Sequence, residues 1–140
     1  MNKQRRYSRQ RDLLLRALSE TKEHPTAETL YFKLRETNPR ISLGTVYRNL
    51  NLLSEEKTIY RMNFPVERYD YNTAPHPHFI CSGCGGVSDL SWNAGVSLEC
   101  FINSGSNEII RYDIICTGIC ETCILKATPH NSLRRLVENL

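Results

Sequence analysis

Two Cys-x-x-Cys pairs, Cys81/Cys84 and Cys120/Cys123, restrict this chain more than any other feature. Four thiols at that spacing read as two zinc knuckles, and closing them on one tetrahedral ion brings together segments separated by 35 residues. A small αβ unit must fit between the pairs. Gly85 and Gly86 allow the chain to turn tightly after the first pair. The expectation is one structural Zn²⁺ per chain, acting as a cross-link for a small domain. A thiol redox switch built on the same cysteines is the rival reading. Disulfides belong to exported chains, and the polar, basic start Met1-Asn-Lys-Gln-Arg-Arg6 does not read as an export signal. Cys100 and Cys116 stand alone and read as buried apolar residues.

A second donor set has a different chemistry. His76 and His78 sit at i, i+2 just ahead of the first cysteine pair, flanked by Asp70 and Asp89. They cannot easily join a zinc already completed by four thiolates. Imidazole nitrogen with carboxylate oxygen suits iron or manganese. His24 lies in the other half of the chain, where the plainer reading is a loop histidine.

Charge divides the chain in the same way. Residues 1–74 carry 14 Lys/Arg against 9 Asp/Glu, and residues 75–140 carry 4 against 6. A basic half followed by a mildly acidic, metal-rich half implies two jobs, with polyanion binding in the first. The division reads as domains 1–74 and 75–140, with Asn72-Thr-Ala-Pro75 as the hinge. No apolar run is long enough to span a membrane, and the reading is a cytoplasmic protein.

The basic half has a helical period. Residues 8–22 read as a helix capped by Ser8, with Leu14, Leu15 and Leu18 on one face. Arg5, Arg6, Arg9 and Arg11 crowd its start, which opposes the helix dipole and points to phosphate contact. Thr26 caps a second helix with Ala27, Leu30, Tyr31 and Leu34 inward, ended by Asn38-Pro39. Ser42 opens a third, with Val46, Leu50 and Leu53 inward and Thr45, Tyr47, Arg48 and Asn49 outward. Hydroxyl, amide and guanidinium groups together can meet base edges and phosphates, as a recognition helix must. Residues 58–63 and 66–71 alternate like strands around Pro65. Three helices and a hairpin are the plan of a winged helix-turn-helix.

In the second half, 78–81 and 86–90 read as strands, 96–103 as a short helix, and 108–116 as the longest strand. Leu133, Leu136, Val137 and Leu140 give the tail an amphipathic helix pattern. The fold class is therefore α+β. A catalytic zinc is chemically possible, but no His-Glu-x-x-His, Gly-x-Ser-x-Gly or phosphate loop is present, and the chain does not read as an enzyme.

The segments Ser8-Arg-Gln-Arg11, His24-Pro-Thr-Ala27, Ser42-Leu-Gly-Thr-Val-Tyr-Arg-Asn-Leu50, Arg68-Tyr-Asp70, His76-Pro-His78-Phe-Ile-Cys81-Ser-Gly-Cys84-Gly85 and Cys120-Glu-Thr-Cys123 occur in this order. In this the chain resembles the Fur family of bacterial metal-dependent repressors over nearly its full length. The resemblance implies an N-terminal winged helix-turn-helix followed by a small αβ dimerisation domain with the four-cysteine zinc site. It implies a homodimer on a palindromic double-stranded DNA operator. It also implies a regulatory Fe²⁺ or Mn²⁺ held by His24, Asp70, His76, His78 and Asp89, with DNA contacts from Arg5, Arg6, Arg11, Thr45, Tyr47, Arg48 and Asn49. Asp at 70, and Tyr112 where the iron-sensing branch has a histidine, are similar to the peroxide-sensing (PerR-type) branch. That branch implies oxidation of His24 or His76 when Fe²⁺ meets peroxide. An iron- or other metal-responsive regulator is the alternative within the family.

Overall fold

The computed structural model describes residues 3–91, 103–110 and 112–127, with side chains from residue 9 onward. The chain divides into two compact units, Met1–Pro75 and His76–Leu140.

The first unit is three helices followed by a hairpin. Helix α1 runs Lys3–Ser19, α2 Ala27–Thr37 and α3 Leu43–Glu55; strand β1 covers Tyr60–Asn63 and β2 Glu67–Asp70. Helix α1 begins five residues ahead of Ser8, so Ser8 lies inside it rather than capping it. The other two N-caps fall where the hydroxyls predict. Thr26 Oγ1 accepts from Thr29 N at 3.2 Å, and Ser42 Oγ accepts from Thr45 N at 3.2 Å. Each satisfies one of the amides that a helix start leaves without an intrahelical partner.

Leu14 and Leu18, Leu30 and Leu34, and Val46, Leu50 and Leu53 recur at three- and four-residue spacing, and all are buried in one cluster with Ile59 and Tyr69. Leu15 and Tyr31 pack only at its edge. The hairpin is antiparallel, Tyr60 opposite Asp70 and Asn63 opposite Glu67.

The second unit is a three-stranded sheet. Strand β3 is Pro77–Cys81, β4 Val87–Asp89 and β5 Ile114–Gly118, in the order β4-β3-β5. β4 pairs antiparallel with β3, placing His78 opposite Asp89, and β5 pairs parallel, placing Cys81 opposite Gly118. A seven-residue helix, α4, follows at Glu121–Ala127.

Cys116, read as a buried apolar residue, is instead exposed on β5, and two expected elements also change. Of the strand foreseen over 108–116, the described residues 108–110, 112 and 113 are not strand, and β5 begins at Ile114 with the ladder to β3. Residues ahead of it turn, with Asn107 N donating to Ser104 O at 3.0 Å, and Ile110 is 90% exposed. Alternating residue types permit a strand, but a ladder partner makes one. Helix α4 was not foreseen. None of its residues is buried, so it carries no apolar stripe from which a helical period can be read. The helix expected at 96–103, apart from Asn103, and the amphipathic tail after Ser132 lie outside the described residues, as does Cys100.

Truncating the centre of the first core tests what holds α3. Leu50→Ala is expected to cost about 2–5 kcal/mol, against about 1 kcal/mol for removing the cap with Ser42→Ala. Urea denaturation of both variants checks this. Equal losses would mean that α3 is held by its cap rather than its buried stripe.

Candidate functional site

The four cysteines of the two pairs converge. Cys81 ends β3, Cys84 lies in the turn to β4, and Cys120 and Cys123 bracket the start of α4. One sulfur from each lies within 4.8 Å of the other three. Cys84 Sγ and Cys120 Sγ are 3.8 Å apart. Four sulfurs at about 2.3 Å from a tetrahedral ion stand about 3.8 Å from each other, so the cluster has the size a zinc–tetrathiolate site requires.

The backbone builds this cluster. Gly85, at φ +69°, lets its amide turn back to Cys81 O at 2.8 Å, while Cys81 N donates to Gly86 O at 2.9 Å. A Cβ on Gly83 would stand 3.1 Å from Cys123 Sγ, so a larger residue there would push the second pair away. The amides of Cys120 and Gly83 donate to Cys81 Sγ at 3.2 and 3.3 Å. These backbone donors, that of Cys120 foremost, lower the Cys81 thiol to about 6. The Cys120 thiol beside it raises Cys123 to about 12. Without a cation, negative charge collects on one sulfur and is resisted on another.

The nitrogen and oxygen donors fall in both units. In the first, His24 and Asp70 are buried, with His24 Nε2 3.8 Å from Asp70 Oδ2. His24 has a left-handed backbone at φ +49°, rare for a residue with a Cβ. In the second unit, His76 Nε2 lies 2.7 Å from Asp89 Oδ1, and His78 Nε2 lies 3.7 Å from the same oxygen. The two imidazole centroids are 4.3 Å apart. The β3–β4 register makes this group, because it sets His78 directly opposite Asp89. Two imidazoles and a carboxylate so placed form a ready set of donors for a divalent cation of borderline hardness.

On α3, Arg48 is exposed and its Nη2 donates to Thr45 Oγ1 at 3.3 Å. Tyr47 is half-buried, and its hydroxyl donates to a Glu28 carboxylate oxygen. That bond holds the Tyr47 pKa up and the Glu28 pKa down. Asn49, expected among the outward groups, is a correction. It is 2% exposed, and its amide donates to Thr45 O at 2.8 Å. The side chain is spent on its own helix, as short polar residues inside helices often are. Arg11 is paired with Glu56 at 2.5 Å. The side chains of Arg5 and Arg6 lie outside the described residues. The partners Glu28 and Glu56 had no signal in the sequence, since Tyr47 reaches from α3 to α2 and Arg11 from α1 to the residue capping the end of α3.

A family model described as the Ferric uptake regulator family matches residues 2–97. The chain belongs to the ferric uptake regulator family. Its members are transcriptional regulators rather than enzymes, and this Fur-family chain is a metal-responsive regulator of that kind. It is 35% identical over 127 residues to the ferric uptake regulation protein of Bacillus subtilis (strain 168), covering 85% of each chain. It is 28% identical over 121 residues to the peroxide-responsive repressor PerR of Staphylococcus aureus (strain USA300), covering 84% of this chain and 82% of the relative. Among solved structures it resembles the Campylobacter jejuni peroxide stress regulator, with TM-score 0.73 and 31% identity over 84% of this chain and 91% of the other. Among the described residues, no helix of this Fur-family protein is long and apolar enough to cross a membrane.

Thiophilic cations bind thiolates, so each thiol that is protonated must lose its proton. With Cys81 near 6 and Cys123 near 12 in the metal-free chain, cation affinity at the cysteine cluster is expected to rise from pH 6 to pH 8. Protons should be released on binding. Competition against a chromophoric chelator across that range measures it; a flat profile would remove the four thiols as the ligand set.

Proposed function

We propose that the protein is a DNA-binding transcriptional repressor that acts as a homodimer on a palindromic operator and senses peroxide. In this reading Cys81, Cys84, Cys120 and Cys123 hold one structural Zn²⁺. His24 and Asp70 of the first unit join His76, His78 and Asp89 of the second in holding a regulatory Fe²⁺ or Mn²⁺. The domain boundary is placed at the Asn72–Pro75 hinge, between a winged helix-turn-helix and a dimerisation domain. The observation that carries the reading is the His76–His78–Asp89 group, three donors of one chemistry set apart from the sulfur cluster. Asp70 and His24 supply the same donor types at one buried place in the DNA-binding half.

A cation that needs donors from both units favours conformations in which they are held together. Its differential affinity for that state is what shifts the population. Arg48, Thr45 and Tyr47 then present one face to a major groove, and Arg5, Arg6 and Arg11 neutralise phosphates. Tyr47 and Arg11 exchange Glu28 and Glu56 for DNA, a small loss because exposed pairs are weak. Fe²⁺ held by His24, Asp70, His76, His78 and Asp89 would supply redox chemistry in which hydrogen peroxide oxidises His24 or His76 by one oxygen atom and is itself reduced to water. Asp70 and Tyr112 support the peroxide reading. The higher identity to the Bacillus ferric uptake regulation protein than to PerR favours the second reading, an iron-responsive regulator.

Binding to the protein's own upstream DNA, with Fe²⁺ or Mn²⁺ and with or without peroxide, separates the two. With Fe²⁺, peroxide is expected to abolish binding, and mass spectrometry should find one added oxygen on the His24 or His76 peptide. The Mn²⁺ form should be insensitive. No added oxygen in the iron form would leave the iron-responsive reading. Zinc release with loss of DNA binding when iron-free protein meets diamide would instead support the thiol switch. His24→Ala is expected to lower Mn²⁺-dependent DNA affinity by roughly tenfold or more, with zinc content unchanged. Equal affinity in mutant and wild type would take His24 out of the regulatory site.

A further inference from the structure

We propose that Arg68 is a positioning residue for His24, holding the backbone of a strained corner so that the imidazole meets the regulatory cation correctly. The inference rests on His24 being a ligand, as proposed above.

Three successive residues of β2 act on this one corner. Arg68 Nη1 donates to His24 O at 3.0 Å, and Tyr69 N donates to Pro25 O at 3.1 Å. Asp70 Oδ2 lies 3.8 Å from His24 Nε2. Strand alternation explains the division of labour. Side chains at i and i+2 share a face, so Arg68 and Asp70 both reach His24, while Tyr69 points into the core with no exposed surface.

The corner needs this support. His24 has φ +49°, and the proline after it steers the preceding residue toward extended backbone instead. Local preference therefore opposes the conformation, which persists only where the surroundings over-determine it. Lys57, at φ +57°, is also left-handed, but it is exposed just past the end of α3, a common place for such a residue. His24 is 2% exposed and mid-fold. A guanidinium beside a cation site is also electrostatically unfavourable. Its hydrogen bond to the His24 carbonyl gives a reason for it to be there.

Mn²⁺ binding to the full-length, zinc-loaded chain, followed by electron paramagnetic resonance, tests this in R68Q, R68K and H24A. R68Q is expected to bind Mn²⁺ roughly 10–100-fold more weakly, the usual loss when a group that orients a ligand is removed. R68K should be weaker than wild type by several-fold, since lysine keeps the charge but not the rigid fork. Zinc content should stay constant. On non-specific duplex DNA at saturating Mn²⁺, the salt dependence of R68Q binding should equal that of wild type. A slope shallower by about one would make Arg68 a phosphate contact and overturn the proposal. Wild-type Mn²⁺ affinity in R68Q, with H24A impaired, also overturns it. Should R68Q fail to fold, wild-type affinity in R68K does the same. Wild-type affinity in H24A would instead overturn the ligand assignment on which this rests.

Discussion

Strand β2 is where the first unit's core, its strained corner and the buried His24–Asp70 pair meet. Tyr69 is fully buried and anchors the strand among α1, α2 and α3. Its amide, and the side chains on either side of it, then have fixed positions from which to grip His24-Pro25. A loop histidine would ordinarily sample many conformations. Here an ordinary hydrophobic anchor restricts that freedom, because Tyr69 N and Arg68 Nη1 hold the Pro25 and His24 carbonyls. The position of the His24 imidazole is thus maintained by burial of an aromatic ring far from it in sequence.

The second unit solves a different problem. Among its described residues, Pro77, Cys81 and Val87 are the buried apolar side chains, joined by His78. The sulfur cluster joins β3, the following turn and α4, elements from both ends of the unit. A cation there would do what a larger core does elsewhere, because the cross-link is absent from the unfolded chain. Cys81 is suited to begin this, since two backbone amides already favour its thiolate.

Local signals in the chain were legible where local physics decides. The caps Thr26 and Ser42, the stripes of α2 and α3, the hairpin and the tight turn at Gly85 each follow from a few neighbouring residues. Misreadings occur where residue type alone does not decide. The start of α1 passes Ser8, and β5 begins only where β3 offers a ladder. Asn49 is polar and lies beside Arg48, yet it faces inward because the helix turns 100° between them.

The sequence by itself determined which chemistries are available: four soft sulfurs in two pairs, and the two imidazoles of His76 and His78 flanked by two carboxylates. Ligand type and spacing are local properties, and they survive without any coordinates. Only the tertiary structure decided how those donors are presented. The β3–β4 register puts Asp89 across from His78, and β2 brings Asp70 to His24 and the Arg68 guanidinium to the His24 carbonyl across 44 residues of chain. Such juxtapositions depend on strand pairing and core packing, which arise from the whole unit and leave no mark in the neighbours of either residue.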